Sequence, residues 1–237
     1  MLKRMIVLLM IFILAVAIVS ELLLPQIVAK GLETGLENLL GRGQTIDTTI
    51  KAYPALKMFV GRFDEITVRS KNINAAGLLI DSVSATIKNV AINLRDLLAQ
   101  REIAFEELSD EMTVEIQISE ANLRQYVLAT IPEISDPRVD IDGGTVQFAG
   151  NLSFGGNDFF VSLVGRFEAT DETTVSYIIE GIAVDGVELS PAFVEKVMQM
   201  LGGPDIFIDM AKFPLPLTVE SVQMEDGFLI ITGLGTH

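Results

Sequence analysis

The only histidine among the 237 residues is His237, and the chain contains no cysteine. A Ser-His-Asp triad, a histidine base and a histidine metal site each need an imidazole fixed by packed neighbours. A terminal residue is rarely held that way. The lack of cysteine removes disulfides, thiolate metal sites, a thiol nucleophile and an acylated cysteine anchor. Gly150-Asn151-Leu152-Ser153-Phe154-Gly155 has the composition of a nucleophile elbow, but its spacing is one residue off and Ser153 falls in a strand pattern. Carboxylates remain. Asp136, Asp140 and Asp142, or Asp205 and Asp209, are of a type that binds Ca²⁺, yet neither set has EF-hand spacing. They read as solvated turn residues. Glu106-Glu107 and Asp110-Glu111 would suit a glycosidase pair and read instead as a charged loop. Neither a phosphate-binding P-loop nor a GxGxxG fingerprint occurs. The expectation is a protein that is not an enzyme and uses no cofactor or metal.

Charge narrows the partners. Seventeen Lys and Arg stand against 32 Asp and Glu, a net charge of −15. Nucleic acid is disfavoured, because phosphate contacts need clustered cations. Bulk electrostatic adsorption to anionic headgroups is disfavoured for the same reason, so any lipid contact must be hydrophobic. Lys3 and Arg4 precede an uncharged run from Met5 to Ser20 that contains Met5, Leu9, Phe12, Leu14 and Val19. Sixteen helical residues span about 24 Å, somewhat short of a hydrocarbon core of about 30 Å. Leu22, Leu23 and Leu24 extend the run if Glu21 reaches the headgroups. Cations before the run and Glu21 after it place the N-terminus inside and the remainder outside the cytoplasmic membrane. The alternative is a cleaved signal peptide, with Ala15-Val16-Ala17 as the small-x-small site. Both readings export the remainder.

Three segments follow: an anchor or signal at 1–20, an amphipathic helix at 21–43 and a domain at 44–237, where roughly 195–215 residues outside the anchor suffice for a sizeable core. In the second, Ile27, Leu32, Leu36, Leu39 and Leu40 recur at helical spacing before Gly41-Arg42-Gly43. This helix is expected to pack on the domain rather than form a stalk. From Thr45 the chain reads as strands. Met112, Val114, Ile116 and Ile118 alternate with polar residues, as do Val146, Phe148, Leu152 and Phe154, and Phe159, Val161, Leu163 and Phe167. Phe63–Lys71 and Leu79–Asn89 are further strands. Thr174–Ala183 carries apolar residues on both faces, which predicts cover on both sides. Asp142-Gly143-Gly144, Gly155-Gly156-Asn157-Asp158 and Asp226-Gly227 have hairpin chemistry, so the sheet is expected to be antiparallel.

An internal repeat is also visible. Ile118-Ser119-Glu120 runs into the apolar stripe Leu123, Tyr126, Val127 and Ile131; Leu189-Ser190-Pro191 runs into Val194, Val197, Met198 and Leu201. Each serine is an N-cap, followed by Glu120 or Pro191 at the first helical position. Pro132 and Gly202-Gly203 end the two helices. Val139–Gly150 then aligns without gaps to Val222–Gly233. Each half reads strand, helix, hairpin: an α+β plan of long antiparallel strands crossed by a helix.

These segments, with Val60–Val68, the helix opened at Ser119 and Phe213–Val222 followed by Glu225-Asp226-Gly227-Phe228-Leu229, resemble the LmeA-like phospholipid-binding family of bacterial envelope proteins. The resemblance covers about Ile27 to Gly233. It implies a tubular lipid-binding (TULIP-like) fold, a long curved antiparallel sheet wrapped around a helix with an apolar groove for acyl chains, preceded by a membrane-spanning or signal helix. It implies phospholipid and the cytoplasmic membrane as partners, and it carries over no catalytic residue. On that footing Val114, Ile116, Leu123, Val127, Val146, Phe148, Leu163, Phe167, Val194 and Met198 are groove candidates; each also reads as core. Two other functions compete. One is a non-catalytic envelope assembly protein without bound lipid, and the other an enzyme working through carboxylates on envelope glycan or lipid.

Overall fold

A computed structural model describes residues 10–11, 21, 23, 25–35, 45–75, 77–100, 105–107, 112–131, 134–154, 156–190, 192, 206–213 and 217–235. They fall into two compact units, Met1–Ser70 with Ser84–Met112, and Lys71–Val83 with Thr113–His237. Met5, Leu9, Phe12, Leu14 and Val19 of the expected anchor lie outside the described residues, as do Leu36, Leu39 and Leu40. Among the described residues no helix is long and apolar enough to cross a membrane.

In the first unit, helix α1 covers residues 25–35. Its buried positions are Val28, Leu32 and Gly35, an i, i+4, i+7 stripe. Leu32 is buried as the sequence stripe placed it, whereas Ile27 is exposed and Val28 takes its place on the buried face. The helix does meet the rest of its unit: Thr48 N–H donates to the Glu33 carboxylate. Strand β1 (Thr45–Lys51) leads through a 3₁₀ turn (Ala55–Val60) into β2 (Arg62–Ala75), and β3 (Leu78–Ile92) follows. The sheet order in this unit is β1-β2-β3, with β4 (Phe105–Glu107) also on β3. Helix α2 (Leu94–Gln100), which the sequence reading lacked, starts where Asn93 Oδ1 accepts from Arg95 and Asp96 N–H, and Leu97 anchors it in the core.

The second unit is built of two sheets. One runs β2-β3-β5-β13-β12, with β5 at Met112–Ser119, β12 at Leu217–Glu225 and β13 at Phe228–Gly235. The other runs β10-β9-β8-β7-β6: β6 Ile134–Asp142, β7 Thr145–Phe154, β8 Asn157–Ala169, β9 Thr174–Val184 and β10 Val187–Glu188. Strand β11 (Phe207–Asp209) pairs with β9. The pairings β5–β13, β12–β13, β6–β7, β7–β8 and β8–β9 are antiparallel, as the hairpin chemistry requires. At Gly143-Gly144 and Asp226-Gly227 both turn residues have positive φ, the type I′ signature.

Strand β5 buries Met112, Val114, Ile116 and Ile118 and turns Thr113 and Glu115 to solvent. It runs directly into α3 (Glu120–Thr130), whose N-cap Ser119 accepts from Asn122 N–H. Asp81 on β3 secures this junction, accepting from Ser119 N–H and the Asn122 amide. Glu120 accepts from Ile141 N–H, which ties the helix start to β6. The corresponding helix after Ser190 lies outside the described residues except Ala192. The repeated hairpins do match. Gly150 and Gly233, equivalent in the repeat, each lie where the neighbouring strand carries one extra residue, between Ser135 and Arg138 or between Val219 and Ser221. A Cβ at Gly150 would sit 2.6 Å from Ile134, and one at Gly233 2.4 Å from Leu217.

The expectation of cover on both faces of Thr174–Ala183 is corrected by a bulge in β9. Gly165 pairs with Ile179 and Val164 with Gly181, leaving Glu180 as an extra residue. The bulge inverts the alternation. Val175 and Tyr177 are buried before it, Ile182 after it, and Glu180 is exposed in an ion pair with Arg166. Two half-strands of opposite phase produced the two-faced apolar pattern.

Candidate functional site

The groove candidates on described residues all belong to the second unit. Leu123 and Val127, one turn apart on α3, are buried together with Val114 and Ile116 on β5, Val146 and Phe148 on β7 and Phe167 on β8. Leu163 is half-buried. Phe148 meets Tyr177 edge-on, with ring centroids 4.8 Å apart, and Phe167 at 6.3 Å. The Tyr177 hydroxyl donates to Val146 C=O at 2.7 Å, the partner a buried phenol requires. Burial raises its pKa above the ordinary tyrosine range, so it stays a neutral donor. Val114, Ile116, Leu123, Val146 and Phe167 are buried among the described residues at 0–1% exposure. Val194 and Met198 lie outside the described residues.

Val127, Phe148 and Leu163 do come together. With Ile134, Pro137, Arg138, Ala149, Gly150 and Val161 they line a small recess that opens to solvent. The bulge in β6 shapes it. Pro137 lies in the bulge, and Gly150 supplies the close approach opposite. The lining is apolar except for Arg138, which is exposed and pairs with Asp136 at 3.4 Å. An apolar recess with a guanidinium at its rim can shelter hydrocarbon and offer a phosphate two parallel N–H donors. An exposed ion pair such as Arg138–Asp136 contributes little, which leaves the guanidinium free to exchange partners. The sequence reading missed Ile134, Pro137, Arg138, Ala149, Gly150 and Val161 as lining residues. The available signal was the repeated glycine, Gly150 or Gly233, which marks close backbone approach.

The remaining candidate groups have local roles. Asp209 accepts from Ala211 N–H and pairs with Lys212. Ser153, in β7, donates to Asp158 across the β7–β8 hairpin. Asp140 and Asp142 are exposed on β6. Glu106 and Glu107 lie in β4, while Asp110, Glu111, Asp205 and His237 are outside the described residues. Among the described residues no group of three or more His, Asp or Glu is placed to hold a metal ion.

No curated protein and no solved structure matches the chain. A family model does, over residues 19–233, and its description is LmeA-like phospholipid-binding. With a match that spans both units and takes in the Arg138-rimmed apolar recess, the chain belongs to the LmeA-like phospholipid-binding family.

Proposed function

We propose that this chain is a non-catalytic phospholipid-binding protein of the bacterial cell envelope, exported and held at the outer face of the cytoplasmic membrane by residues 1–20. The family match over residues 19–233 carries the reading. The recess beneath Val127 supports it by supplying apolar wall for an acyl chain and Arg138 for a headgroup phosphate. Under this reading the strands of the second unit curve around α3 in the tubular lipid-binding manner. A chain longer than the recess enters by displacing side chains that line it, Leu163 and Val161 first, because they are only half-buried. One observation favours the alternative of an assembly protein without lipid: most groove candidates are already packed as core.

Affinity for phospholipids of increasing acyl length decides between the two. Each buried CH₂ contributes about 0.8 kcal/mol, so Kd should fall about fourfold per added CH₂ until the recess is full. Ala149→Phe, at a half-buried lining position, should fill the recess and flatten that dependence with little loss of stability. A length-independent affinity, or an unchanged dependence in Ala149→Phe, would remove the recess from the account. Export is tested separately by a reporter fused after His237, which should be active only outside the cytoplasm. Cytoplasmic activity would contradict the envelope placement.

A further inference from the structure

The first unit carries a second apolar feature that the recess does not explain. Between β1 and β2 the 3₁₀ turn Ala55–Val60 buries only Ala55 and Met58, which are 5% and 1% exposed. Tyr53, Leu56, Phe59 and Val60 point outward at 82%, 54%, 57% and 69% exposure. Four large apolar side chains within eight consecutive residues form a cluster of the kind that marks an interaction site. The turn is also firmly held. Gly61, at φ +73°, donates its N–H to Met58 C=O and accepts from Ile92 N–H at 2.8 Å. Tyr53 N–H donates to the Asp64 carboxylate. The outward presentation is therefore fixed by the backbone.

Charge identifies what it meets. From Lys51 to Phe63 the sequence has three cations, Lys51, Lys57 and Arg62, and no carboxylate, within a chain of net charge −15. Lys51 and Lys57 pair with Glu65 and Asp64 on β2, and Arg62 has no partner among the described residues. Apolar side chains with a tyrosine and flanking Lys and Arg suit the interface of a phospholipid bilayer. There the rings and aliphatic groups enter the acyl boundary while the cations meet headgroup phosphates. We infer that the turn Tyr53–Arg62 is a membrane-docking tip that inserts Leu56, Phe59 and Val60 into the surface of an anionic phospholipid bilayer. This rests on the proposed reading only for its membrane location and is independent of lipid carriage in the recess.

The chain contains no tryptophan, so one introduced indole reports its own surroundings. The full chain carrying Phe59→Trp would be reconstituted into vesicles of phosphatidylethanolamine and phosphatidylglycerol, then into the same vesicles with brominated acyl chains. Its emission should shift to the blue and lose most of its intensity to bromine. Arg69→Trp, at an exposed site seven residues further along β2 in the same unit and about 23 Å from Arg62 along the strand, should keep a water-like emission and stay unquenched. Adding Lys57→Glu and Arg62→Glu to the Phe59→Trp chain should restore most of the lost emission. Water-like, unquenched emission from Phe59→Trp overturns the inference. A blue shift without quenching also overturns it, because the turn is then covered by protein. Phospholipid adducts on the protein with an unquenched tip would reject the tip alone. Quenching without adducts would reject lipid carriage alone.

Discussion

Ile116→Asp should abolish cooperative folding of the second unit, whereas Gln117→Asp should leave it folded. Ile116 is 1% exposed and pairs across the sheet with Ile231, which is wholly buried. A carboxylate there has no charged or hydrogen-bonding partner, and its burial costs several kcal/mol even after it protonates. That is a large part of the 5–15 kcal/mol that holds a domain together. Gln117 sits on the opposite face, half-buried, accepting from Ser82 Oγ at 3.2 Å and donating to Glu115 at 2.9 Å. Asp at 117 loses the second bond and adds a like charge beside Glu115, for about 1 kcal/mol. Denaturant unfolding measures the difference: Gln117→Asp should keep a cooperative transition and Ile116→Asp should show none. Equal midpoints would mean that β5 is paired in the wrong register.

The second large effect is expected at the β8–β9 bulge. Gly165→Ala places a methyl 2.1 Å from Ile178 C=O and 3.0 Å from the Tyr177 ring, where backbone is the obstacle and cannot rotate away. The cost should be about 3 kcal/mol, at the upper end for overpacking. Gly181→Ala, across the same bulge, meets nothing within 4 Å. It should be neutral or stabilise by up to about 1 kcal/mol by restricting the unfolded chain. Thermal unfolding of the pair reports both. A tolerated Gly165→Ala would show that the two strands do not approach as described.

The features legible in the sequence are those set by local chemistry. Ser119 announces the start of α3 because a hydroxyl before an apolar stripe satisfies the first free N–H groups. Asp226-Gly227 and Gly143-Gly144 announce hairpins because they tolerate positive φ. Strand β5 is legible because its alternation is unbroken over four buried residues. Features that depend on a neighbouring strand were not legible. The bulge at Glu180 made one buried face look like two, and the bulge before Arg138 hid the β6 side of the recess. The buried face of α1 was placed on Ile27 instead of Val28, since both residues are apolar and only packing chooses between them. Helix α2, seven residues long, is too short to show a periodic stripe. Of the groove candidates, Val127, Phe148 and Leu163 reach the recess, because apolarity alone does not separate a wall from a core.

The most direct test of lipid binding is the mass of the protein as it leaves the cell. Residues Glu21–His237, expressed in cells and purified without detergent, should show adducts under native conditions. Their masses should match phospholipids and disappear on organic extraction. Because the expected contact is hydrophobic, the adducts should survive high salt. A folded protein that carries no adduct and takes up no added phospholipid would contradict lipid binding and leave the assembly-protein reading in its place.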